Sequence, residues 1–308
     1  MSKATSESSN PRPSILTPTF PFTSAPDADV ILRSSDGADF YLHRAILSLV
    51  SPVFQTMFSF PQSVAVSEIP ITAVQEDSVL LDRALRFFYP GGNTAVSTID
   101  DLRDIIEVLV SKYDVACVGP IAKQHLARYY ADRPLAVYGI AIAHGWKDAA
   151  LHAARESLKR PLRIVDAQAS PDLNHLPATA YHNLLYYHRL CAAAAKSATE
   201  DLRWLRPNDD VWFTCGTCAR ADAAWYLADG GLHTVRIWFN QYLERLGDVL
   251  GETPGVDIAH HKTMYDALAS ASKCTTCCEK VFDQLPEFVS TRLVARISEA
   301  IDAIELKS

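Results

Sequence analysis

From Asp29 onward the apolar positions fall into short, sharply punctuated runs. Val30-Ile31-Leu32 and Phe40-Tyr41-Leu42 flank Asp36-Gly37, a pair that favours a hairpin turn, so two antiparallel strands are predicted. The stretch FYLHRAILSLVSPVFQTMF follows, with Ile46, Leu47, Val50, Val53, Phe54, Met57 and Phe58 at three- and four-residue spacing. Pro52 cannot lie inside a continuous helix, because it removes a hydrogen bond and crowds the preceding turn. It suits the first position of a new helix with Ser51 as N-cap, so the stretch reads as two short helices.

Ser67-Glu68-Ile69-Pro70-Ile71 reads as a third strand whose proline favours an edge or an end. Asp77 or Ser78 caps a helix that buries Leu80, Leu81, Ala84, Leu85 and Phe88 and stops at Tyr89-Pro90-Gly91-Gly92. A further helix starts near Ser97 and presents Ile99, Leu102, Ile105, Ile106, Leu109 and Tyr113 on one face. After Pro120 the pattern is helical throughout, in segments broken by proline or glycine. Two of these helical patterns cover His233–Leu250 and Asp257–Ser270. Residues 1–26 are rich in Pro and Ser, lack periodicity and are expected to form a disordered tail. No internal repeat is visible.

The order of these elements resembles the BTB/POZ domain. The resemblance rests on Asp29 in the first strand, His43-Arg44 after the second, and the helix start Ser51-Pro52-Val53-Phe54, followed by RALRFFYPG and DIIEVLVSKYDV. The segment YYADRPLAVYGIAIAHGWKDAALHAARESL, with WFTCGTC and KCTTCC, is similar to the extended architecture of BTB proteins abundant in mushroom-forming fungi. The fold class implied is α+β, a BTB/POZ domain with a short three-stranded sheet and helices, followed by an all-α C-terminal region. The expected boundaries are 27–130 for the BTB/POZ domain, 131–205 for a helical BACK-like extension, and 206–308 for a helical module with the two C-x-x-C pairs. The resemblance implies a non-enzymatic protein with no small-molecule substrate, a homodimer that also binds other protein partners. It also places Asp29, His43 and Arg44 in a structural charge cluster at the start of the first helix. A buried or half-buried cation there needs a carboxylate or carbonyl partner.

Two alternative functions accompany that reading: substrate adaptor of a cullin-type ubiquitin ligase, and zinc-dependent transcriptional regulator. Relatives that bind a cullin usually carry a hydrophobic-x-Glu element before the third strand. The only candidate here is Val66-Ser67-Glu68, set hard against that strand.

Composition narrows the field. The 308 residues are 48% apolar and 21% charged, as in an ordinary globular chain. Lys and Arg number 29 against 36 Asp and Glu, a net charge of −7, and no basic stripe is present, so no nucleic-acid partner is expected. No apolar run is long enough for a membrane span, and no apolar signal segment opens the chain. The 7 cysteines, an odd number clustered late, do not suggest a disulfide framework and point to a reducing cytoplasmic or nuclear setting.

Candidate chemistry is sparse outside those cysteines. Gly91-Gly92 and Gly230-Gly231 read as turns, and neither a G-x-S-x-G nor an H-E-x-x-H motif occurs. His182 and His188 are spaced for different helical faces, and the adjacent His260 and His261 diverge. Trp204, Trp212, Trp225 and Trp238 recur irregularly, as core residues do. Cys215-Gly-Thr-Cys218 and Cys274-Thr-Thr-Cys277, the latter followed by Cys278, stand apart. Two C-x-x-C turns are the usual way to offer four thiolates to one structural Zn2+. The long intervening stretch leaves open two other readings: reduced cysteines packed as small apolar residues, and a thioredoxin-like redox pair.

Overall fold

The computed structural model describes residues 15–24, 26–60, 69–92, 96–161 and 170–307. The chain divides between Arg128 and Tyr129 into two compact units.

The first unit is built on β1 (Val30–Arg33), which pairs antiparallel with β2 (Asp39–Leu42), Val30 opposite Leu42 and Arg33 opposite Asp39. Gly37, at φ 96, closes the hairpin in a conformation that glycine adopts without strain. An Arg33–Asp39 ion pair of 2.6 Å ties the two strands together at the turn end of the hairpin. α1 (Arg44–Val50) and α2 (Pro52–Ser59) are separate helices. The Ser51 hydroxyl accepts the Phe54 N–H at 3.1 Å and donates to the Tyr113 carbonyl, so one side chain both starts α2 and anchors it.

β3 (Ile71–Ala73) joins the other side of β1 in parallel, Ile31 opposite Ile71. The expected strand began at Ser67. Residues 67 and 68 lie outside the described residues, and the observed strand starts just after Pro70, which has no N–H to donate. The Pro70 carbonyl still accepts the Ile31 N–H at 2.9 Å. α3 (Ser78–Phe88) is capped by Asp77, and α4 (Ile99–Ile106) by Thr98. α4 runs on through a π-helical turn, Glu107–Lys112, and α5 (Val118–Leu126) follows.

Residues 1–14 and 25 of the expected tail lie outside the described residues. Within the rest of it Phe22 is fully buried, 5.8 Å from the Phe40 ring with the Arg86 guanidinium 5.0 Å above it. Packing therefore begins before Asp29. A single aromatic anchor in a Pro/Ser-rich stretch leaves no periodicity to read.

The second unit opens with α6 (Pro134–Ala143) and α7 (Lys147–Ser157), packed as a hairpin, and continues into α8 (Ala178–Glu200) and the single turn α9 (Val211–Thr214). Next come β4 (Arg220–Tyr226) and β5 (Leu232–Arg236), paired antiparallel with Tyr226 opposite Leu232. α10 (Ile237–Glu252), α11 (Lys262–Ala271), the one-turn α12 (Thr275–Cys278), α13 (Val281–Glu287) and α14 (Val294–Asp302) complete it, with a π-helical turn, Phe288–Leu293, between the last two.

The β4–β5 hairpin corrects the all-α expectation for this region. Residues 233–236, expected in a helix, belong to β5, and the helix starts at Ile237. Gly230, at φ 74, makes the turn, and the Leu227 N–H reaches the Gly231 carbonyl at 3.1 Å. Alanine-rich β4 has little strand propensity of its own. It is held by its pairing and by burial of Ala221, with Val235 buried on β5.

The core of this unit centres on Trp212. Its ring stacks on Phe239 at 4.6 Å and meets Phe288 at 5.2 Å, with Leu243, Leu246 and Leu285 packed in the same cluster. Among the described residues no helix is long and apolar enough to cross a membrane.

Candidate metal centre

Two short turns at the edge of this core carry the C-x-x-C pairs. Cys215 ends α9, its N–H bonded to the Val211 carbonyl, and Cys218 lies just ahead of β4. Cys274 follows α11 as the N-cap residue of α12, and Cys277 lies in α12. The hairpin, α10 and α11 bring the chain back so that the two turns face each other. Cys215 Sγ is 3.8 Å from Cys274 Sγ, and Cys218 Sγ is 3.5 Å from Cys277 Sγ. All four sulfurs lie within 4.8 Å of one another. The arrangement has a local pseudo-two-fold character, since each contact joins residues 59 apart, as does a 3.1 Å contact between the Thr217 and Thr276 hydroxyls.

The backbone favours a thiolate at one cysteine of each turn. Burial opposes ionisation of Cys215, but the N–H groups of Cys218 and Thr217 and the neighbouring thiols bring it down to about 6. In the second turn the Cys277 N–H, the Cys218 thiol and the Thr276 N–H hold the Cys274 thiol below its usual range. The other member of each pair behaves oppositely. Burial, then contact with Cys274, pushes Cys218 up to about 11; burial, then the neighbouring Cys218 and Cys215, raises Cys277. Four thiols this close cannot all ionise unless a cation joins them.

A tetrahedral Zn2+ with bonds of about 2.3 Å requires sulfurs about 3.8 Å apart. The two cross-turn contacts, 3.8 and 3.5 Å, are near that spacing, and all four sulfurs lie within 4.8 Å. They supply all four ligands, leaving no open position for substrate or water, so the arrangement suits a structural ion. A thioredoxin-like pair would sit where a strand enters a helix in a parallel α/β unit. These turns instead adjoin an antiparallel hairpin and a helix cap. The mutual approach of all four sulfurs likewise sets them apart from cysteines packed merely as apolar side chains. Cys278, exposed, and Cys117 and Cys191 lie outside the cluster.

Two neighbours complete the setting and were not foreseen. Arg236 is buried, and its Nη1 donates to the Cys218 carbonyl at 3.1 Å. The buried Trp238 indole N–H has no hydrogen-bond partner, but it lies near Cys277 and weakly favours the thiolate there against the larger effect of burial. The sequence signal for the paired turns was their shared C-x-T-C form; nothing in the sequence marked Arg236.

The expected histidine placements involve no common site: His188 lies 3.3 Å from the Arg160 carbonyl, His260 pairs with Asp257 at 2.8 Å, and His261 caps α11.

In the first unit, Asp29 Oδ1 accepts the Arg44 backbone N–H at 2.7 Å, which places a carboxylate at the start of α1. The His43 ring contacts Asp27 at 3.2 Å and the Tyr89 hydroxyl at 2.5 Å, while the Arg44 guanidinium lies 5.5 Å from the Phe58 ring centre. Asp29 thus acts through the backbone, and His43 takes Asp27 as its carboxylate. Asp29 is exposed, so the cost of losing it is that of a helix cap and not of a broken buried ion pair. Asp29→Ala is expected to cost α1 about 1 kcal/mol. Amide exchange of α1 should then quicken roughly fivefold. Unchanged exchange would show that the contact contributes nothing.

The BTB/POZ domain family matches residues 22–128, and the chain contains a BTB/POZ domain there. Such domains are non-catalytic modules for protein interaction and self-association. A comparison with curated proteins gave no match. The candidate cullin element Val66-Ser67-Glu68 lies outside the described residues.

Proposed function

We propose that the protein is a non-enzymatic interaction protein. Its BTB/POZ domain pairs two copies, and its second unit, clamped by a structural zinc, presents a largely helical surface to other proteins. The BTB/POZ match over residues 22–128 carries this reading. Leu49 on α1 and Phe60 just after α2, 86% and 65% exposed, support it as apolar side chains left in water by a single copy. The net charge of −7 favours protein partners over nucleic acid. Four reduced thiols held for a metal suit a reducing cytoplasmic or nuclear compartment.

Light scattering on the full chain at tens of micromolar tests the pairing. The expected mass is twice the 34.0 kDa of one chain, and a monomer throughout that range would overturn it.

A further inference from the structure

The metal centre leaves one buried charge to account for. Arg236, the last residue of β5, is only 2% exposed. Its Nη1 donates to the Cys218 carbonyl at 3.1 Å, its Nη2 to the Phe213 carbonyl at 3.4 Å, and its Nε has no partner. Among the described residues no carboxylate lies within ion-pair distance of it. A buried guanidinium served by two carbonyls alone is costly and calls for a nearby negative charge.

The placement of those carbonyls indicates where that charge lies. Phe213 and Cys218 bracket the Cys215–Cys218 turn, so the two forks of the guanidinium grip the turn from both sides. Four thiolates around one divalent ion carry a net charge of −2. We infer that Arg236 is the counter-cation of the metal centre: it offsets part of that charge and fixes the first C-x-x-C turn in ligating geometry. It is a positioning residue and does not itself ligate. The inference rests on the zinc reading of the four cysteines. It adds that metal binding and the β5–α10 junction, where Arg236 sits, are coupled. Without the ion the guanidinium is left uncompensated at the point where the hairpin becomes a helix.

The test is competition between the full chain and a chromophoric chelator for Zn2+, comparing wild type with Arg236→Met, Arg236→Lys and, as a control, Arg220→Met on exposed β4. Loss of a partner that orients a metal ligand typically weakens binding about 10- to 100-fold, and that is expected of Arg236→Met. Arg236→Lys should fall between it and wild type, keeping the charge but losing the two-pronged grip. Arg220→Met should bind as wild type does. Equal affinity of Arg236→Met and wild type would overturn the inference.

If Arg236→Met does not fold, amide exchange of the wild type carries the test. Removing zinc should quicken exchange in residues 220–236, and a hairpin indifferent to zinc would overturn the coupling. A wild-type chain that takes up no zinc would overturn the metal centre itself, and the role of Arg236 with it.

Discussion

Replacing Cys277 with Ser is expected to abolish zinc retention and to lower the unfolding temperature of the second unit by roughly 10 °C. The centre joins two turns whose paired cysteines lie 59 residues apart. Closing a loop of about 60 residues restricts the unfolded chain by about 4 kcal/mol on a chain-entropy account. For a unit of this size each kcal/mol moves the midpoint by about 2–4 °C. Cys277 is also fully buried, so serine would leave a hydroxyl in apolar surroundings. Cys278→Ser is the control. That thiol is exposed and outside the cluster, and its loss should change stability by less than about 0.5 kcal/mol. Scanning calorimetry of the zinc-loaded full chain separates the two variants; identical traces would mean that the four cysteines clamp nothing.

Trp212→Ala is expected to destabilise the same unit by about 3–5 kcal/mol, by a route that does not involve the metal directly. Trp212 is fully buried, stacked on Phe239 at 4.6 Å and in contact with Phe288 and Trp238. It also holds α9, a single turn far too short to be stable alone, and α9 delivers Cys215. Trp212→Phe should cost much less. It keeps an aromatic ring on Phe239, and the indole N–H it removes is buried without a partner. Denaturant midpoints with and without zinc distinguish this effect from that of Cys277→Ser. The tryptophan variant should lose stability in both conditions, the cysteine variant chiefly where zinc is present. Equal midpoints for Trp212→Ala and wild type would contradict the packing described for this core.

Much of the first unit was legible because its punctuation is local. Ser51-Pro52 breaks one apolar stripe into two helices through a cap and a fixed backbone angle, and both act within a few residues. Asp36-Gly37 sets its hairpin in the same way. Asp229-Gly230 at the second hairpin carries the same signal, yet β4 reads RADAAWY, and its alanines suggest helix as readily as strand. Only tertiary pairing decides such a segment. The burial of Phe22 and the parallel partnership of β3 with β1 are likewise long-range facts that no window of sequence contains.

At the candidate site the four cysteines could be singled out from spacing alone, because each C-x-x-C turn sets its own geometry. What brings the turns together is the hairpin and α10–α11 fold between them. What surrounds them depends on Arg236, an unremarkable arginine until its burial is seen. The charge cluster expected of Asp29, His43 and Arg44 took another form. The helix-start amide claims Asp29, and the imidazole finds Asp27 and Tyr89 instead.

The central claim is that Cys215, Cys218, Cys274 and Cys277 hold one structural ion. Elemental analysis of the full chain, purified without chelator and normalised to protein by amino-acid analysis, tests it most directly. About one zinc per chain is the predicted result, falling to background in Cys277→Ser and unchanged in Cys278→Ser. Zinc well below one per chain in the wild type, or a full equivalent retained by Cys277→Ser, would contradict it.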